Sequence, residues 1–167
     1  LKAVPNLSSV ALRPTFFMEN HLESIPLIKS NGINGSALRA DLAVSMIATR
    51  DIAAVAADLL ASPTFEGHSV RELLGPRNYS SREATSILGA AIGKPDLAYV
   101  EFAYDDFRKG LTGAGFSASA ADAMVEMYDA VNTGRIPMAR ARTPSNTTPT
   151  TLEQFAREVF VPAYQAS

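Results

Sequence analysis

Val10-Ala-Leu-Arg-Pro-Thr-Phe-Phe-Met-Glu-Asn20 is the stretch whose reading decides the fold. Val10 and Leu12 alternate with smaller or polar neighbours from Ser8 to Arg13, which predicts a buried strand, and Pro14 ends it because proline cannot donate to a ladder. The segment Phe16 to Leu22 then starts a short helix or ordered loop. Ala43 to Ala48 is a second strand candidate, short and apolar as a strand buried on both faces would be. It runs into Thr49-Arg-Asp-Ile-Ala-Ala-Val-Ala-Ala57, a helix extending to about Leu60, with Thr49 or Asp51 as its cap. Strand followed by helix, twice, is the pattern of an α/β fold.

The alternation continues. Asn31-Gly-Ile-Asn-Gly35 reads as a turn, since Asn and Gly accept positive φ at little steric cost. Ser69 to Leu74 reads as a strand ended by Gly75-Pro76. Ser80 or Ser81 with Glu83 forms a capping box for an Ala-rich helix ending near Gly93. Leu97 to Phe102 is another strand. The last third is helical in texture: Tyr104 to Leu111, then Ala118 to Val131 with Ala120, Met124, Met127, Tyr128 and Val131 along one face. Thr143 to Pro149 reads as a polar, proline-broken linker. Thr150 with Glu153, or Thr151 with Gln154, caps a final helix bearing Leu152, Phe155, Val159 and Phe160. No internal repeat is present.

With 167 residues, 47% of them hydrophobic, and a net charge of −2, the chain has the size and composition of one domain with a sizeable core. No run of Lys and Arg exists to neutralise phosphates, which argues against nucleic acid as a partner. Arg135-Ile-Pro-Met-Ala-Arg-Ala-Arg142 is the one basic cluster and reads as a solvated loop. The absence of cysteine removes disulfides, thiolate catalysis and Cys-based zinc sites, and fits a reducing cytoplasm. No apolar run approaches the roughly 20 residues of a membrane span. The opening, Leu1-Lys-Ala-Val-Pro-Asn-Leu7, reads as the last turn of a helix stopped by Pro5 and Asn6, so the chain is expected to be the back part of a longer protein. Neither Asn31 to Gly35 nor Gly110 to Gly115 has the strand-before, helix-after setting of a G-x-G-x-x-G pyrophosphate fingerprint.

The pieces Leu12-Arg-Pro-Thr-Phe-Phe-Met-Glu-Asn20, Ile47-Ala-Thr-Arg-Asp-Ile-Ala-Ala-Val-Ala56, Glu72-Leu-Leu-Gly-Pro76, Ser80-Ser-Arg-Glu-Ala84, Ala91-Ile-Gly-Lys-Pro95 and Thr148-Pro-Thr-Thr-Leu-Glu-Gln-Phe-Ala156 stand in an order that resembles the NmrA-like family of the short-chain dehydrogenase/reductase superfamily. That resemblance implies the C-terminal part of a Rossmann-like NAD(P)-binding fold, with a few mainly parallel strands and a helical C-terminal subdomain. Residues 1–60 would end the Rossmann sheet and residues 61–167 would cover the substrate. It implies NAD or NADP as cofactor and a small, aromatic or quinoid substrate. By the same resemblance Pro14, Thr15, Phe16 and Phe17 would lie beside the nicotinamide ribose, and Met18, Glu19, Asn20 and His21 would border the substrate pocket. Nicotinamide is a flat amide-bearing ring, so aromatic walls with a few polar groups suit it. Phe16 and Phe17 would equally serve as plugs of the core after a strand.

No catalytic acid emerges from the sequence. The superfamily's Tyr-x-x-x-Lys pair would lie before Leu1, and Tyr99, Tyr104 and Tyr128 lack Lys four residues on. His21 and His68 are the side chains whose ordinary pKa lies near neutrality, and His21 adjoins the pocket motif. Asp105 and Asp106 point about 100° apart on a helix and suit its dipole better than a facing pair. Asp51 reads as a cap or as a group near the cleft. Met124, Met127 and Tyr128 read as core or as an adaptable pocket wall. No metal site is expected, because the two histidines are far apart. The alternative functions are a non-catalytic NADP(H)-sensing regulator and a self-associating piece that pairs through its sheet edge as a homo-oligomer. These residues alone are expected not to turn over NAD(P)H.

Overall fold

Seven strands and seven α-helices are present in the computed structural model, which describes residues 4–137 and 140–167. The strands are β1 (Ser9–Pro14), β2 (Phe16–Phe17), β3 (Ile33–Ser36), β4 (Val44–Ile47), β5 (His68–Leu73), β6 (Asn78–Tyr79) and β7 (Ala98–Glu101). The helices are α1 (Ile25–Asn31), α2 (Thr49–Ala61), α3 (Ser81–Ala91), α4 (Tyr104–Gly113), α5 (Ala118–Asn132), α6 (Leu152–Phe155) and α7 (Val161–Ala166). A 3₁₀ turn at Met18–Ser24 follows β2, and a wide π turn at Ala156–Phe160 joins α6 to α7.

β1 and β2 are one bent strand that changes partner at Thr15. Up to Pro14 it runs parallel to β5, and the Thr15 N–H still donates to the Leu73 carbonyl at 3.2 Å. From Phe16 it runs parallel to β4, with Phe16 opposite Met46 and Phe17 opposite Ile47. β6 closes that group antiparallel to β4, and β3 pairs parallel with β7. Every residue of β4 is buried, as expected for a strand covered on both faces.

The core joins the two ends of the sequence. Met18, Ile25 and Ile28 pack with Val44, Met46, Tyr79, Leu88, Leu152, Phe155 and Phe160 in one buried cluster. The helix from Leu152 to Ala166 remains helical through its wide turn. That turn has a physical cause in Pro162, whose missing N–H and ring disrupt the ordinary helical bond four residues back. Among the described residues no helix is long and apolar enough to cross a membrane.

Most expected elements form within a residue or two of their predicted bounds, and Asn6 takes the positive φ of 59° that suits a chain stop. Residues 1–3 of the expected helix end lie outside the described residues. Several local expectations need correction. Ile33–Ser36 is a strand, and the turn chemistry is confined to Gly32, which ends α1 at φ 68°. Neither Thr49 nor Asp51 caps α2 from within; Ala48 stands at the cap position and makes no side-chain bond there. On α5 the buried residues are Ala121, Val125, Ala130 and Val131, while Met127 is exposed. Residues 143–149 form part of the structure: the Leu74 N–H donates to Asn146 O at 2.7 Å and the Thr148 N–H to Leu74 O at 2.8 Å, extending β5 by one parallel bridge. Of the basic cluster, Met138 and Ala139 lie outside the described residues, and Arg142 is half-buried and bonded to three acceptors.

Candidate functional site

The carboxyl end of β2 is where the segment Pro14 to His21 turns from strand into a 3₁₀ turn. Thr15 and Phe16 are half-buried, Phe17 keeps 37% of its surface exposed, Met18 is fully buried, and Asn20 is exposed. Alternation along the short strand sends Phe17 outward while Met18 anchors the segment to the core. Phe16 and His21 stack obliquely, their ring centroids 5.7 Å apart at 54°.

Glu19 fixes this segment to the next helix. Its carboxylate accepts from the Thr49 N–H at 3.0 Å and from the Thr49 hydroxyl at 2.6 Å. The orphan N–H groups and positive dipole end of α2 thus receive an anion from a residue 30 positions away in sequence. Asp51, two residues further along α2, is buried and directed elsewhere. It accepts from the Thr150 N–H at 3.0 Å and the Thr150 hydroxyl at 2.7 Å. The first turn of α2 therefore holds both the pocket segment and the C-terminal segment in place.

His21 is the unusual group here. Its Nε2 is enclosed and has no hydrogen-bond partner among the described residues. Burial pushes the imidazole pKa down to about 4, so the ring is neutral at pH 7. A neutral imidazole has one donor and one acceptor nitrogen, and an enclosed nitrogen without a partner costs about 1–3 kcal/mol. Such groups gather at functional sites, because a bound molecule can supply the missing partner.

The other residues singled out by sequence lie apart from this segment or are committed to structure. His68 shares a 2.8 Å bond with the Ser9 hydroxyl across β1 and β5. Asp105 and Asp106 pair with Arg108 and Lys109 one turn on. Tyr99 bonds to Ser36 and to the Leu38 carbonyl, and the Tyr104 hydroxyl donates to Asp129. Tyr128 meets Phe107 edge-on at 5.1 Å, and burial, with Tyr99 and Glu23 nearby, pushes its hydroxyl up to about 12. The sequence pattern placed Arg142 in a solvated loop and Thr150 at a helix cap, and it did not single out Tyr79. Their partners lie 64 or more positions away, so no local spacing signals them.

The architecture is the α/β arrangement of Rossmann-like NAD(P)-binding reductase folds. An NADPH-dependent quinone oxidoreductase of Escherichia coli, solved with NADPH, superposes at a TM-score of 0.72 with 23% identity, covering 90% of this chain and 53% of that one. In sequence, the NAD(P)H azoreductase of Xenophilus azovorans is 37% identical over 117 residues, 70% of this chain and 40% of that protein. A (4-alkanoyl-5-oxo-2,5-dihydrofuran-3-yl)methyl phosphate reductase of Streptomyces griseus is 33% identical over 123 residues, 74% of this chain and 42% of that protein. The chain thus spans about half the length, or less, of the proteins it matches. No family model matches it.

Proposed function

We propose that this chain forms the nicotinamide-facing and substrate-facing part of an NmrA-like, NAD(P)-dependent oxidoreductase acting on a small aromatic or quinoid molecule. The observation that carries the reading is the Pro14 to His21 segment. It stands at the carboxyl end of a strand in a mostly parallel sheet, where α/β folds bind ligands. It combines a half-exposed phenyl ring with an enclosed imidazole nitrogen that lacks a partner. Likeness to an NAD(P)H azoreductase and to a quinone oxidoreductase solved with NADPH supports the same chemistry.

The residues present suit the nicotinamide end of a dinucleotide. Pro14, Thr15, Phe16 and Phe17 would face the nicotinamide and its ribose, with Phe17 as the apolar wall. The dinucleotide supplies hydride when bound. This chain's residues orient the ring and exclude water from its face. Met18, Glu19, Asn20 and His21 border the substrate in different ways. Met18 supports the wall from the core, Glu19 holds the segment to α2, and Asn20 is open to solvent. Once a bound molecule opens the segment, the enclosed His21 Nε2 would meet a carbonyl, azo or hydroxyl group as a neutral hydrogen-bonding partner. It is not a strong acid at that position, since burial keeps it deprotonated.

Calorimetric titration with NADH and NADPH, on the protein expressed from its native gene, tests the reading. One dinucleotide per chain, with turnover of a quinone or azo acceptor, is the expected result. No binding of either dinucleotide would overturn it. Binding without turnover of any acceptor would favour an NADP(H)-sensing regulator.

A further inference from the structure

Arg142 differs from the paired arginines of this chain. Arg50, Arg77, Arg82, Arg108, Arg135 and Arg140 each lie within ion-pair distance of a carboxylate. Arg142, among the described residues, donates to neutral oxygens only. Nε reaches the Gly75 carbonyl at 2.8 Å, and one terminal nitrogen reaches both the Asn78 side-chain oxygen at 2.6 Å and the Ser45 hydroxyl at 3.2 Å. Burial lowers its pKa, and the nearby Tyr79 hydroxyl offsets this only in part. A half-buried guanidinium without a carboxylate is costly, and the three acceptors belong to elements around β4.

Ser45 leads from that cation to the pocket segment. It is fully buried in β4, and its hydroxyl oxygen also accepts from the Thr15 hydroxyl at 3.3 Å. Thr15 is the residue at which the first strand changes partner from β5 to β4. One oxygen thus accepts from the guanidinium on one side and from Thr15 on the other. With its proton directed to Ser45, Thr15 has only lone pairs left to offer on its free side.

We infer that Arg142 is a positioning residue for the dinucleotide: acting through Ser45, it fixes the Thr15 hydroxyl so that Thr15 meets bound nicotinamide as an acceptor. This rests on the reading of the site given above. A basic residue in a loop remote in sequence thereby sets the polarity of a contact at the strand switch. Arg142→Lys would not reproduce it, because a single ammonium cannot span the Gly75, Asn78 and Ser45 oxygens with the same planar fork.

A double-mutant cycle on the native-gene protein tests it, with NADPH affinity by calorimetry as the readout. Loss of a bond to a charged donor predicts that Arg142→Met weakens NADPH binding about tenfold, with Ser45→Ala, the milder variant, giving a similar loss. In a Thr15→Val background most of that loss should vanish. Hydrogen exchange of residues 15–18 without ligand should rise in both single variants, while exchange of the α5 amides stays unchanged. Losses that multiply in the double variant would overturn the inference, as would an unchanged Kd in Arg142→Met and Ser45→Ala beside a wild type that binds. A wild type that binds no dinucleotide would overturn the reading of the site and the inference with it.

Discussion

Acid should unfold this protein through His21 before its carboxylates are reached. In the folded state burial lowers the imidazole pKa from 6.5 to about 4, while the unfolded chain titrates at the ordinary value. The unfolded state therefore binds a proton first as pH falls, and stability is lost between about pH 6.5 and pH 4. It is fully present above that window. A displacement of this size is worth about 3 kcal/mol once both states are protonated, of which about 2 kcal/mol is lost by pH 5. Glu153 and Glu158 are held below the usual carboxylate range by hydrogen bonds and Arg77 or Arg50, so their own losses begin in more acid solution. Urea denaturation at half-unit steps from pH 8 to pH 4.5, on the wild type and His21→Gln, measures the effect. The variant should have a flatter profile, with the difference growing as pH falls. Parallel profiles, or an NMR titration that places His21 above pH 6, would refute the account of an enclosed, unpartnered Nε2.

Three further outcomes follow from close contacts. A Cβ on Gly75 would lie 1.7 Å from the Met46 carbonyl oxygen, in the backbone of a fully buried strand, so Gly75→Ala should cost more than about 3 kcal/mol or abolish folding, read by thermal melting. Asp51→Ala strands the Thr150 N–H and hydroxyl and should cost about 3 kcal/mol in urea denaturation, whereas Asp51→Asn, which keeps one acceptor, should cost less. Glu19→Ala uncaps α2 and should lower stability by about 1 kcal/mol, with exchange rising at the Thr49 amide before that of β5.

The strands were legible where apolar residues are bounded by breakers. Val44 to Ile47 and Ser69 to Leu73 carry that signature and lie where it predicts, and Val10 to Pro14 does too, but that strand is only half-buried and runs on past Pro14 to Phe17 with a new partner. β3 was not legible because Asn34 and Gly35 are turn residues by composition. Their use here is tertiary: the Asn34 amide donates to the Thr85 hydroxyl at 2.8 Å in the core, and Gly35 leaves room for the Phe102 ring, which a Cβ would meet at 2.6 Å. Helix caps divided the same way. Ser80 and Thr151 cap their own helices through a hydroxyl three positions from the receiving amide, which spacing reveals. Glu19 caps α2 from a different element, which no window of sequence contains. On α5 the period was right and Val131 is buried as expected, but the stripe was set slightly off, because Met127 and Val125 are both apolar and only packing decides that Val125 turns inward. Of the pocket segment, the sequence showed the order of residues, and the unsatisfied nitrogen of His21 became visible only with the chain folded round it.

The clasp between Asp51 and Thr150 closes a loop of 99 residues, and the bond between the Leu152 amide and the Tyr79 hydroxyl closes one of 73. Phe155 and Phe160, from the final stretch of the chain, fill the cluster that Met18 and Val44 begin. During synthesis the segment from Met18 to Thr150 is therefore made with a hydrophobic hollow still unfilled, and this part of the fold can close only after Leu152 to Phe160 has cleared the exit tunnel. At roughly 5–20 residues per second, that interval lasts many seconds. Throughout it the nascent chain is a natural client for a holdase, and a stop codon placed before Leu152 should yield insoluble protein, although almost every residue of the pocket segment and its supporting strands would already have been made.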